Sequence, residues 1–104
     1  MTLRRYAPMK QSRGTVIPAE LRIAVHRRDA GCVGERAGFP VAEHFGGLEL
    51  DHVRASHGIG MKSETTRDNL VSLCGSCHRW KTENGREARP LLLAYLSKVE
   101  AHRV

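Results

Sequence analysis

Three short groups of polar residues between positions 51 and 78 carry the side chains most suited to chemistry. They are Asp51-His52, Asp68-Asn69 and the run Cys74-Gly75-Ser76-Cys77-His78. Carboxylate oxygens are hard ligands that suit Mg²⁺ or Mn²⁺, and an imidazole titrates near physiological pH, so it can take a proton from water. The sequence therefore offers the ligands for two metal sites, one built on carboxylate and imidazole and one built on thiolates.

The cysteines favour metal ligation over a disulfide framework. The chain has three cysteines, which cannot all pair within one molecule, and Cys74 and Cys77 have the C-x-x-C spacing of zinc ligands. Free cysteine is also among the most buried residue types, so a pair of ordinary core thiols is the alternative. Because a histidine directly follows the pair, we prefer zinc ligation.

The order of these groups is similar to that of one known family. Leu-Glu-Leu-Asp-His-Val followed by Asp-Asn-Leu-Val-Ser-Leu-Cys-x-x-Cys-His resembles the HNH endonucleases, also called ββα-metal or His-Me finger nucleases. The resemblance covers roughly residues 30–85, and the three signature positions fall on His52, Asn69 and His78. It implies a ββα core with a treble-clef-like structural zinc site, and an enzyme that hydrolyses DNA phosphodiester bonds by nicking or double-strand cleavage.

Small stand-alone members of this kind look similar to those of bacteriophages and their bacterial hosts. This likeness makes DNA the expected partner and a phage terminase or other packaging machinery a candidate partner. It also implies a location in the cytoplasm of a bacterial host.

DNA cleavage needs a base to activate water and a cation on the scissile phosphate, and the resemblance implies that the signature residues supply both. We expect His52 to be the general base, and Asp51 and His78 to hold one catalytic Mg²⁺ or Mn²⁺. In the family the matching asparagine fixes the loop around the base, so Asn69 is expected to orient rather than to ligate. Because neighbouring strand residues point to opposite faces, the strand must end or bend at Asp51 and His52.

The helix that begins near Cys77 is expected to serve both sites. Cys77 and His78 are consecutive, so their side chains project about 100° apart around a helix. Trp80 lies three residues after Cys77 and is expected to pack toward the zinc side, while Lys81 lies three residues after His78 and could meet a phosphate. Arg54 and Arg79 are further candidates for contacts with the DNA backbone.

The zinc site departs from the common family pattern of two C-x-x-C pairs. Cys32 begins a first knuckle, but Glu35 stands where the second cysteine is expected. We expect His44 to be the fourth ligand, because it lies in the same glycine-rich loop and imidazole is a normal partner for three thiolates. Glu35 and His57 remain the alternatives.

The hydrophobic pattern predicts an α+β fold in which the strands and one helix position these residues. Leu48 to Val53 alternates and predicts a strand with Leu48 and Leu50 facing a core, and 69–73 predicts a second strand or a turn. A helix is expected from Cys77 to about Asn84, closed by Gly85. The two strands should form a short antiparallel hairpin that packs on this helix.

Two flanking helices complete the predicted fold. Pro18 opens the first, which Gly31 ends, and a glycine-rich loop follows from Cys32 to Gly47. The second runs from Pro90 to Val99, with a stripe of Leu92, Leu96 and Val99 that favours packing on the core. We interpret residues 1–17 as a basic flexible arm and residues 18–104 as a single domain.

Composition narrows the class of partner. The chain has 104 residues, with 17 Lys and Arg against 11 Asp and Glu and a formal charge of +6, which favours a polyanion such as nucleic acid. No apolar run approaches the roughly 20 residues of a membrane span, so we expect a soluble intracellular protein, and a monomer. A zinc-stabilised nucleic-acid-binding module without catalysis is the alternative function, although such a module has no use for Asp51, His52 and His78 together.

Overall fold

The computed structural model describes residues 16–54 and 65–101, so most of the predicted basic arm and His57 lie outside the described residues. In chain order the elements are α1 (Ala19–Asp29), α2 (Gly34–Ala37), β1 (Glu49–His52), a 3-10 turn (Arg67–Asn69), β2 (Leu70–Leu73), α3 (Gly75–Glu83) and α4 (Gly85–Ala101). This order confirms the predicted small α+β fold with strand, strand and helix in sequence. Among the described residues, no helix combines the length and hydropathy needed to cross a membrane.

The two strands form one antiparallel sheet with Asp51 opposite Val71 and His52 opposite Leu70. β1 ends at His52, as the paired roles of Asp51 and His52 required. β2 is buried along its whole length, and α1 packs against it. The outer edge of β2 is covered by hydrogen bonds. The backbone N–H of Ser72 donates to a carboxylate oxygen of Asp29, and the backbone oxygen of Ser72 accepts a hydrogen bond from the N–H of Val33.

The prediction that Leu48 and Leu50 face the core is wrong. Leu48 is 48% exposed and precedes the strand, and Leu50 is only half-buried, whereas Asp51 is buried. The physical reason is that α3 lies against the face that carries Glu49 and Asp51, so Asp51 rather than a leucine is the buried side chain of this short strand. The apolar residue that β1 delivers to the core is Val53, just beyond its end.

The helix boundaries differ from the predicted ones at three places. The chain leaves α1 at Ala30, whose left-handed φ of 53° ends the helix one residue before Gly31. The segment predicted as a loop from 32 to 47 contains α2. α3 begins at Gly75, two residues early, and ends with Asn84 as its cap, so that Gly85 opens α4 instead of closing α3.

α4 begins five residues before the predicted start and contains Pro90. Pro90 cannot donate a hydrogen bond to the carbonyl of Arg86, but both residues are exposed, where water can replace the lost bond. The predicted stripe is confirmed, because Leu92 and Leu96 are buried and Val99 packs on the same core. That core also contains Cys74 and Cys77, so the thiol cluster and the hydrophobic core are one structure.

Candidate functional site

The first turn of α3 supplies side chains to two separate clusters of potential metal ligands. One cluster contains Cys32, His44, Cys74 and Cys77, and the other contains Glu49, Asp51 and His78. Within each cluster all the ligand atoms lie within 4.8 Å of one another. The consecutive residues Cys77 and His78 therefore face different sites, as their helical spacing predicted.

The second cluster brings together the two residues that the sequence assigned to a cation. Nδ1 of His78 lies 2.8 Å from Oδ2 of Asp51. Glu49, which the sequence analysis missed, lies on the same side with its Oε1 3.8 Å from the same nitrogen. Its signal was available, because residues two apart on a strand share a face and Glu49 stands two before Asp51.

His52 ends β1 beside this cluster and is half-buried. Its Nε2 lies 3.1 Å from the hydroxyl oxygen of Thr65, and Nδ1 has no hydrogen-bond partner among the described residues. Burial lowers the pKa of His52 below its ordinary value; the negative charge of Asp51 opposes this shift and Lys81 adds to it. Burial therefore favours the neutral form of the imidazole, which can accept a proton.

Asn69 is 1% exposed, and its side chain contacts the chain that follows His52. Its Oδ1 accepts a hydrogen bond of 2.7 Å from the backbone N–H of Arg54, and its backbone oxygen accepts one of 2.9 Å from Val53. Together these two bonds fix the path of the chain where β1 ends.

The thiol cluster has the spacing of a tetrahedral metal site. Nδ1 of His44 lies 3.8 Å from Sγ of Cys32, 3.7 Å from that of Cys74 and 3.2 Å from that of Cys77. A tetrahedral zinc with bonds of about 2.3 Å to sulfur and about 2.0 Å to nitrogen separates such atoms by about 3.5 Å. Three sulfurs and one imidazole are also a donor set that zinc prefers, so these residues fit that ion.

The HNH endonuclease family model matches residues 38–84. This range includes β1, β2 and α3, with both ligand clusters except for Cys32. Residues 38–84 are therefore similar to an HNH domain. Comparisons with curated proteins and with solved structures found no match. Proteins of the HNH family are nucleases that act on DNA with divalent metals.

His44 of the HNH domain is held in place from both sides by Ser76. The Ser76 hydroxyl donates to the backbone oxygen of Glu43 at 2.8 Å and accepts from the backbone N–H of Phe45 at 3.2 Å, while the Ser76 N–H donates to the oxygen of Phe45. Gly46 makes this close approach possible, because its φ is 90° and an added Cβ would lie 3.0 Å from the backbone of Gly75.

Gly34 plays the corresponding role on the other side of the cluster. A Cβ added there would lie 2.3 Å from the sulfur of Cys77, and the Gly34 N–H donates to the sulfur of Cys32 at 3.4 Å. Cys32 thus lies in the cluster with His44, Cys74 and Cys77. Glu35, one of the two alternative ligands, is exposed on α2 and is not in the cluster, while His57 lies outside the described residues.

The two buried thiols differ in acidity. Burial alone would raise the pKa of Cys74, but hydrogen bonds with Ser76 and with the backbone of Cys77 outweigh it and bring the pKa to about 6. Burial raises the pKa of Cys77, and the neighbouring thiols of Cys32 and Cys74 raise it further. A cation among these sulfurs would stabilise the thiolate form of Cys77, whose pKa is raised by burial and by the neighbouring sulfurs.

The basic residues around the HNH domain are placed differently from one another. Arg54 and Arg79 are exposed, and Lys81 is half-buried and close enough to His52 to influence its pKa. Lys81 also lines a cavity of about 40 Å³ together with Val53, Gly85 and Arg89. Arg89 is a cationic residue that was not among the predicted DNA contacts. Trp80 packs on Phe39, which follows the first knuckle, with the ring centroids 4.6 Å apart.

Proposed function

We propose that this protein is a metal-dependent endonuclease that hydrolyses DNA phosphodiester bonds, with His52 as the general base. The observation that carries the proposal is the meeting of three parts at the end of β1. These are a neutral, half-buried His52, a cluster of two carboxylates and an imidazole beside it, and an asparagine that holds the following chain. A protein that only bound nucleic acid would have no need for this combination.

The donor set of Glu49, Asp51 and His78 suits a catalytic divalent cation. Hard carboxylate oxygens favour Mg²⁺ or Mn²⁺, and the imidazole nitrogen favours Mn²⁺ of the two. A cation held there would polarise the scissile phosphate and screen the charge of the leaving oxygen. Three protein ligands leave positions of a six-coordinate ion open to DNA and water.

His52 would take the proton from the attacking water. With Nε2–H donating to the hydroxyl oxygen of Thr65, Nδ1 carries the lone pair that receives the proton. The contact with Thr65 also limits the rotation of the ring. Because burial and Lys81 lower the pKa of His52, most of the imidazole is ready to act as a base at neutral pH.

The remaining residues would hold the DNA and the base in place. Asn69 orients the chain after His52 through its bond to the Arg54 N–H, and it does not ligate the cation. Lys81, Arg54 and Arg79 would contact backbone phosphates, and such contacts position a protein without reading bases. We therefore expect weak sequence preference.

We further propose that Cys32, His44, Cys74 and Cys77 bind a structural zinc ion. The support is the distance of 3.2 to 3.8 Å from Nδ1 of His44 to each of the three sulfurs, and the position of two of the thiols inside the hydrophobic core. A terminase or packaging partner, a bacterial cytoplasmic location and a monomeric state stay predictions of the sequence.

The proposal is tested by supercoiled-plasmid relaxation with the zinc-loaded protein and added Mg²⁺ or Mn²⁺. We expect relaxed or linear product only when the divalent ion is present, and a gel shift of the same DNA. Tight binding without cleavage under Mg²⁺, Mn²⁺, Co²⁺ or Ni²⁺ would instead favour the zinc-stabilised binding module.

Glu49 offers a sharper test of the catalytic cation. We expect Glu49→Gln to raise the Mn²⁺ concentration needed for half-maximal cleavage by about tenfold, because a neutral amide oxygen is a weaker ligand than a carboxylate. The matched control is Glu87→Gln, which removes an exposed carboxylate in the first turn of α4. Identical Mn²⁺ curves for Glu49→Gln and Glu87→Gln would remove Glu49 from the cation site.

A further inference from the structure

The guanidinium of Arg28, at the end of α1, is buried with its hydrogen bonds complete. The side chain is 7% exposed. Its Nε and Nη2 donate to the two carboxylate oxygens of Asp29 at 2.7 and 3.1 Å, and Nη2 also donates to the backbone oxygen of Leu70 at 2.7 Å. Nη1 donates to the backbone oxygen of Arg67 at 2.5 Å and to Glu100 at 3.0 Å. All five N–H donors of the group are therefore matched.

The carboxylate of Asp29 is equally complete. Besides the two bonds from Arg28, it accepts the hydroxyl proton of Tyr95 at 2.6 Å and the backbone N–H of Ser72 at 2.8 Å. Asp29 is 0% exposed, so its carboxylate links α1 to β2 and α4 away from water. The pair lies outside residues 38–84, the part of the chain that the HNH family model matches.

The two backbone oxygens that Arg28 holds lie on either side of Asn69. Arg67 opens the 3-10 turn that ends with Asn69, and Leu70 is the first residue of β2. Arg28 thus clamps the chain immediately before and after the asparagine whose Oδ1 holds the Arg54 N–H. A continuous series of hydrogen bonds runs from α1 through Asn69 to the residues that follow His52.

Stability alone is a weak explanation for a buried pair of this kind. Removing two charges from water costs free energy that their attraction often only offsets, and apolar residues of similar volume are frequently as stable. What the guanidinium adds is geometry, because its planar, rigid fork fixes several acceptors relative to one another, which a lysine ammonium cannot do. Here the acceptors that it fixes belong to the turn that carries Asn69.

We propose that Arg28, held by Asp29, is a positioning residue for the active site, which acts by clamping the backbone on both sides of Asn69. The consequence for catalysis rests on the proposed function, in which Asn69 orients the chain after His52. The clamping itself does not, so it can be tested on the folded protein without any cleavage.

The first measurement is amide hydrogen exchange by NMR on the zinc-loaded full chain. In Arg28→Lys we expect the Arg54 amide to exchange at least about tenfold faster relative to the Ala88 amide, because local opening of the turn no longer requires global unfolding. Ala88 is the internal reference, since it is buried in α4 and bonded to the oxygen of Asn84. Glu100→Gln, which weakens one anchor of the clamp, should shift the same ratio in the same direction by less.

The matched control is Tyr95→Phe, which removes one hydrogen bond to Asp29 without touching the turn. It should lower the melting temperature and leave the ratio of Arg54 to Ala88 exchange unchanged. If Arg28→Lys does not fold, the ratio of Arg54 to Ala88 exchange is compared between Glu100→Gln and Tyr95→Phe, and a higher ratio in Glu100→Gln supports the clamp. Equal ratios in Tyr95→Phe and in the clamp variants would overturn the proposal and leave the pair a purely structural one.

The second measurement is steady-state cleavage with Mn²⁺. We expect Arg28→Lys to lower kcat by about tenfold with KM within about twofold, as for an interaction that matters in the transition state. Tyr95→Phe should retain the wild-type kcat. A faster Arg54 exchange with unchanged kcat would keep the clamp but exclude its role in catalysis, whereas an inactive wild-type protein would count against the nuclease and not against the clamp.

Discussion

Replacement of His52 by alanine is expected to lower the rate of plasmid cleavage by about 10²–10⁴-fold, the usual contribution of a positioned general base. The physical reason is that His52 directly follows Asp51 at the end of β1, beside the cluster of Glu49, Asp51 and His78. The measurement is the initial rate of supercoil loss at saturating Mn²⁺.

The loss must come from chemistry and not from the fold. His52 is outside the thiol cluster, so His52→Ala should keep its zinc content and most of its melting temperature. His26→Ala is the matched control, since it removes a half-buried imidazole that forms a hydrogen bond with the Ser72 hydroxyl on β2. Cleavage by His52→Ala at the rate of His26→Ala would eliminate the proposed base.

The site could be predicted largely from the sequence because its residues lie on elements with fixed periods. Asp51 and His78 meet because a strand and the helix that packs on it bring their facing residues together. The same logic should have found Glu49, which shares the strand face of Asp51. It was overlooked because the alternation in this segment was used only to place Leu48 and Leu50 toward a core.

That interpretation fails for a physical reason specific to small sheets. A two-stranded sheet has little core to cover, and here one face of β1 is covered by α3 and its polar ligands, which leaves Leu48 exposed. Hydrophobic alternation identifies the two faces of a strand but does not say which one faces the interior when polar side chains of a neighbouring helix lie against one of them. β2, whose residues are all buried, posed no such ambiguity.

The contacts of Ser76 and Arg28 could not be predicted from periodicity at all. Both side chains act on the backbone of distant segments, Ser76 on residues 43 and 45 and Arg28 on residues 67 and 70. Sequence spacing predicts neighbours within one element, whereas these bonds depend on how separate elements are packed. The four-residue helix α2 was not predicted because one turn is too short to show a helical period.

Removal of zinc is expected to unfold the domain. The apparent free energy of a structural zinc site is about 10–16 kcal/mol in zinc-finger peptides, which is comparable with the whole stability of a typical domain, about 5–15 kcal/mol. Cys74 and Cys77 belong to the hydrophobic core, so loss of the ion leaves buried, mutually repelling thiols at its centre. Far-UV circular dichroism and thermal melting with and without a chelator measure the effect, and an unchanged melt in the metal-free chain would contradict it.

The identity of the fourth ligand decides whether this account of the zinc site is right. His44→Ala should weaken zinc binding by more than the roughly 10–100-fold that loss of a hydrogen-bonding partner of a ligand causes. His44→Cys should retain one zinc per chain, because it restores a four-thiolate set. Glu35→Ala is the control, since its side chain is exposed on α2, and zinc loss in this variant but not in His44→Ala would reverse the assignment. Because Ser76 holds the backbone on both sides of residue 44, a ligand at this position is already oriented before the ion binds, so one histidine from a glycine-rich loop can replace the missing cysteine of the first knuckle.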